Sequence, residues 1–114
     1  MSTFTLEYTI PAGATLDTDY PIVDIGALTV VAFLPPPETL DSKNIFFTST
    51  LETGVYRPLA PNGQPFNIGS TPGEVLVFTL TQARYFRALQ RFIVKTGTVE
   101  TQDRMFTLIL RPVA

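Results

Sequence analysis

The groups available for chemistry in this sequence are carboxylates, hydroxyls, amides, tyrosines and eight cationic side chains, for it contains neither His nor Cys. The commonest general base and metal ligand is therefore missing. Disulfides, thiol nucleophiles and thiolate metal sites go with the thiols. An enzyme built from the remainder would rely on paired carboxyls, as glycosidases do with two about 5–9 Å apart. The acidic residues are Glu7, Asp17, Asp19, Asp24, Glu38, Asp41, Glu52, Glu74, Glu100 and Asp103. They are scattered singly through loops and strand edges, and nothing marks such a pair. No catalytic residue is assigned, and the chain reads as a non-enzyme.

The segment "DTDYPIVD" gathers Asp17, Asp19 and Asp24. Calcium takes several oxygen ligands from a flexible loop, but this spacing matches no EF-hand. Solvated turn aspartates are the commoner explanation. No metal ligand and no cofactor are assigned.

Five of the six arginines fall in "RYFRALQRFIVKTGTVETQDRMFTLILRPVA", among aromatic and branched apolar residues. Glu100 and Asp103 interrupt that run, only Lys43 and Lys95 add to it, and the net charge is −2. A phosphate-binding face needs clustered Lys and Arg, so nucleic acid is not an expected partner. Arg84, Arg87, Arg91, Arg104 and Arg111 read individually as solvated side chains whose stems cover apolar surface. Read together, Tyr85, Arg87, Leu89, Arg91 and Ile93 form one mixed face of the kind enriched at protein interfaces.

The elements that position these residues follow from periodicity. "FTLEYTI" alternates, with Phe4, Leu6, Tyr8 and Ile10 on one side, as a half-buried strand does. Pro21 demotes "YPIVDI" to an edge strand. "LTVVAFL" is a continuous apolar run that predicts a central strand covered on both faces. "PPPETLDSKN" predicts a stiff, outward-reaching spacer. "IFFTSTL" and "VYRPL" flank Gly54 as a hairpin, and Asn62-Gly63 carries type I′ turn chemistry. "FNI" and "EVLVFTL" add two strands.

For 85–94 two periods compete. A helix would group Tyr85, Phe86, Leu89, Phe92 and Ile93, with Arg84, Arg87 and Arg91 opposite. A strand would turn Phe86, Ala88, Phe92 and Val94 inward. The strand is preferred because every neighbouring segment is strand-like. "RMFTLILR" likewise puts Phe106, Leu108 and Leu110 inside. The fold class is therefore all-β: residues 1–114 form a single β-sandwich (jelly-roll-like) domain of about eight short antiparallel strands, with an extended N-terminal segment. One core suffices at this length. The start lacks a basic n-region and an h-region, and no apolar run approaches ~18 residues. No membrane partner is expected, and intracellular synthesis is. Charged residues make up 16% against a typical ~25%, which fits a surface that spends its life docked.

The ordered segments "YTIPAGAT", "LTVVAFLP", "IFFTSTLETGVYRPLAPNGQP", "ARYFR" and "QDRMFTLILRPV" resemble small structural proteins of tailed-bacteriophage virions, of the head decoration (cement) type. The resemblance spans nearly the whole chain. It departs at Glu52-Thr53-Gly54, where an Asp-Gly is usual, and in a longer "ALQRFIVKTGTVET". It implies a non-enzymatic protein made in the host cytoplasm and placed on the outer capsid surface of a virion. The partners it implies are the major capsid protein and the chain itself, as a homotrimer. The partner-contact candidates are Phe4 and Leu6, Pro35, Pro36 and Pro37, and Tyr85, Arg87 and Arg91. The order of segments also resembles galactose-binding-like jelly rolls, a likeness of fold that does not transfer sugar binding. Two alternatives stand beside the decoration reading: a glycan-binding β-sandwich module, using Tyr20, Tyr56 or Tyr85, and a phage tail or baseplate adaptor.

Overall fold

A computed structural model describes residues 3–42, 44–50, 52, 54–69 and 72–112. Its strands are β1 (Phe4–Ile10), β2 (Val23–Asp24), β3 (Leu28–Leu34), β4 (Asn44–Ser49), β5 (Arg57–Pro58), β6 (Asn67–Gly69), β7 (Leu76–Val77), β8 (Arg91–Thr96) and β9 (Arg104–Pro112), with one helix, α1 (Leu80–Leu89).

The pairing is antiparallel and nested. β1 pairs with β9, β2 with β8 and β3 with β7, while β4 takes β5 and β6 in succession along one side. The chain is thus a long hairpin, rolled so that β3 also meets β9 and β4 also meets β8. Two sheets result, ordered β1-β9-β3-β7 and β2-β8-β4-β5 with β6 beside β4. That order is a jelly roll, so the all-β sandwich expected from the sequence is the observed fold. The radius of gyration, 13.2 Å, matches the ~13 Å of a single domain of this length.

Inward-facing residues of both sheets fill the space between them. Phe33, Phe47, Phe92 and Phe106 are fully buried, with Ile45, Val94 and Leu108 around them. The sheets are also tied by polar atoms. From β1, the Tyr8 hydroxyl donates to the Pro21 carbonyl at 2.7 Å and accepts the Val94 N–H of the opposite sheet at 3.0 Å.

The preferred strand over 85–94 is corrected: residues 80–89 are helical and strand β8 starts at Arg91. A capping box starts the helix. Thr79 Oγ1 accepts the Gln82 N–H at 3.2 Å, and Gln82 Oε1 accepts the Thr79 N–H at 2.9 Å. The helix follows β7 and packs on β3, where Thr29 Oγ1 donates to the Ala83 carbonyl. Phe86 enters the core, with ring centroids 4.8 Å from Phe47, 4.9 Å from Phe78 and 5.7 Å from Phe92. At Gln90 the backbone turns to φ +60° and the helix ends.

Other expectations fare better. β2 is an edge strand, β3 lies between β9 and β7, and Gly54, at φ +76°, turns the β4–β5 hairpin. Asn62 and Gly63 both take positive φ, as type I′ chemistry requires. The turn does not join a hairpin of its own, because β5 and β6 both pair with β4.

Candidate functional site

Three places gather the residues that chemistry or recognition could use. The first is an ionic knot at one end of the sandwich. Glu100 is buried and accepts the Arg104 Nε at 2.9 Å, the Asp41 N–H at 3.0 Å and the Ser42 N–H at 2.9 Å. Arg104, only 5% exposed, reaches Asp41 Oδ2 at 3.2 Å and lies 3.7 Å from Glu38. Asp41 in turn accepts the N–H and hydroxyl of Thr101, at 2.7 and 2.8 Å. Those two bonds, with Arg104 assisting, hold the Asp41 carboxyl below its usual range. The knot ties the β3–β4 loop to the β8–β9 loop, and the carboxylates of Glu100 and Asp41 are taken up by these donors.

This corrects two readings. Arg104 is not a solvated side chain, and Glu38, Asp41 and Glu100 are not scattered. The outward-reaching spacer is corrected as well. Pro35 and Pro36 are buried, Leu40 and Ser42 are buried beyond them, and Pro37, Glu38 and Thr39 are exposed between. Glu100 holds the backbone at 41 and 42, which folds the loop back over the end of the sandwich.

The second place is the free edge of β1. β1 pairs along its whole length with β9, from Phe4↔Leu110 to Ile10↔Arg104, and no described strand covers its other side. The N-terminal segment is therefore a sheet edge from Phe4 onwards. Among the described residues the other sheet-edge strands are two or three residues long, whereas β1 offers seven. It carries one charge, Glu7, and no proline or register shift, so among the described residues few of the devices that usually blunt an edge are present. Its inward-pointing residues are covered unevenly. Tyr8 and Ile10 are buried, Leu6 half-buried, and Phe4 remains 48% exposed.

The third place is a groove of about 440 Å³ between α1 and the Pro61–Gly63 turn with the start of β6. Gln64, Asn67, Thr81 and Gln82 bring amides and hydroxyls to it; Pro61, Pro65, Phe66 and Tyr85 form its apolar walls. A second concavity of about 300 Å³ shares Tyr85 and Pro61 and runs past Pro58 and Leu59 to Ala88 and Leu89. Tyr85 packs edge-on against Phe66, centroids 5.8 Å apart at 73°.

The proposed mixed face does not form. Along a helix residues 85 and 87 point about 200° apart: Tyr85 lines the groove while Arg87 donates to the Gly26 carbonyl at 2.6 Å. Arg91 starts β8 and lies 4.0 Å from Asp24, and Leu89 and Ile93 are buried in the core. The three aspartates also separate. Asp17 pairs with Lys95 at 2.5 Å, Asp19 accepts the Thr15 and Leu16 N–H groups, and Asp24 accepts that of Gly26.

Neither the ionic knot nor the groove was found from the sequence. Local pattern gives no sign that Asp41 meets Arg104 across 63 residues. For the groove, a signal existed: the Thr79-Leu80-Thr81-Gln82 capping box that starts α1. Comparison with protein-family models, with curated proteins and with solved structures finds no match.

Proposed function

We propose that this chain is a capsid decoration protein: a non-enzymatic jelly roll that docks on the outer shell of a virion and ties coat subunits together. The observation that carries the reading is the unguarded seven-residue edge of β1. An extended segment of the major capsid protein adds to that edge, its main chain pairing with β1 and its side chains covering the exposed ring of Phe4. Pro37, at the exposed crest of the β3–β4 loop, supplies a second contact. The resemblance of the ordered segments to phage cement proteins supports the partner and a homotrimer. Binding only the assembled shell stabilises it by mass action, and many copies compound weak contacts through avidity.

The test is sedimentation of the purified chain with undecorated capsids of the phage that encodes it, with a native mass of the free species. Co-sedimentation at a saturating copy number, and a free mass three times that of the 12.6 kDa chain, are expected. A chain that stays in the supernatant overturns the reading.

A further inference from the structure

We propose that the groove beside α1 binds a neutral carbohydrate, an oligosaccharide of hexose or N-acetylhexosamine units seated against Tyr85. The lining of the main groove carries no charged side chain. An anion would call for cations there and a cation for carboxylates, so neither suits it. What converges instead are groups that both donate and accept. The Gln64 and Asn67 amides and the Thr81 hydroxyl make no hydrogen bond within the described residues, and Gln82 commits only its oxygen, leaving its NH₂ free. Adjacent sugar hydroxyls likewise both donate and accept, and a primary amide meets two of them at once.

Tyr85 supplies the apolar complement. Its ring is fixed by the edge-on contact with Phe66 rather than by its hydroxyl, which has no partner among the described residues. The C–H face of a pyranose can pack on that ring while its hydroxyls reach the amides. The adjoining concavity of about 300 Å³ continues the cleft beyond Tyr85 and Pro61, so it has room for a second unit. Its one cation, Arg57, is 3.6 Å from Glu52. An oligosaccharide should therefore outbind a monosaccharide.

The groove is independent of the edge proposed for capsid docking. It is built from α1, β6 and the 61–63 turn, whereas β1 lies at the far end of the order β1-β9-β3-β7. Failure of one does not entail failure of the other.

The experiment is an array of neutral, sialylated and sulfated oligosaccharides, with proline-rich peptides alongside, probed with the full chain and followed by titration calorimetry of the tightest binder. Retention on neutral oligosaccharides is expected, with loss in Tyr85→Ala and about ten-fold weaker binding in each of Gln64→Ala and Asn67→Ala. The last two positions are exposed, so folding is retained and the readout is binding alone. Tyr85→Phe, which keeps the ring, should bind within a few-fold of the parent. Retention of nothing, of acidic glycans only, or of the peptides only overturns the assignment. So does neutral-glycan binding that survives all three alanine substitutions.

Discussion

Tyr8 shows how one hydroxyl can hold two sheets. Removing it in Tyr8→Phe leaves the buried Val94 N–H without its partner. A loss of about 1–3 kcal/mol in unfolding free energy is expected by chemical denaturation. Burial raises the Tyr8 phenol above its ordinary value, against a smaller opposing pull from the Val94 bond, and burial raises Tyr20 in the same direction. The folded state therefore holds these protons more tightly. Their contribution is full below the unfolded value near 10 and declines as pH rises above it. Stability measured against pH should fall on that alkaline limb, and less steeply in Tyr8→Phe. The acid limb has the opposite sign. Asp41 is lowered by Thr101 and Asp19 by the Leu16 and Thr15 N–H groups. Their contribution is present above about pH 4 and is lost as pH falls through the folded values. Asp41→Asn should flatten that limb in an acid titration followed by near-UV circular dichroism. At this scale the sequence was least legible. An arginine buried among three carboxylates and one exposed to water look alike until the loops at 38–41 and 100–104 are brought together.

At the scale of elements, α1 is where local and global signals disagreed. Strand-like neighbours argued for a strand, yet the Thr79–Gln82 capping box and the spacing of Ala83, Phe86 and Leu89 were already helical. The helix forms because that spacing puts Phe86 among Phe47, Phe78 and Phe92, while a strand would have turned Ala88 inward and Leu89 out. Thr79→Ala should lower unfolding free energy by about 1 kcal/mol, and Phe86→Ala by about 3–5 kcal/mol, both read from denaturant midpoints at constant slope. β1 was legible for the opposite reason. A two-residue period with one apolar side needs no partner to be recognised, and Tyr8 and Ile10 are buried as that period requires.

For the whole molecule, the strand segments could be read but not their partners. Nested pairing joins Phe4 to Leu110 and Val23 to Phe92, contacts that no local pattern specifies. Such non-local topology predicts slow folding, on the order of milliseconds to seconds by stopped-flow fluorescence. It also leaves β1 at an open edge, and the central claim is that this edge docks. Adjacent residues of a strand aim their N–H groups to opposite sides. Of Leu6→Pro and Glu7→Pro, one breaks a β1–β9 bond and the other removes a donor from the free edge. Circular dichroism identifies the variant that keeps its fold. The most direct measurement is co-sedimentation of that folded variant with undecorated capsids. Loss of binding at native stability is the result this account predicts; capsid occupancy equal to that of the parent chain would contradict it.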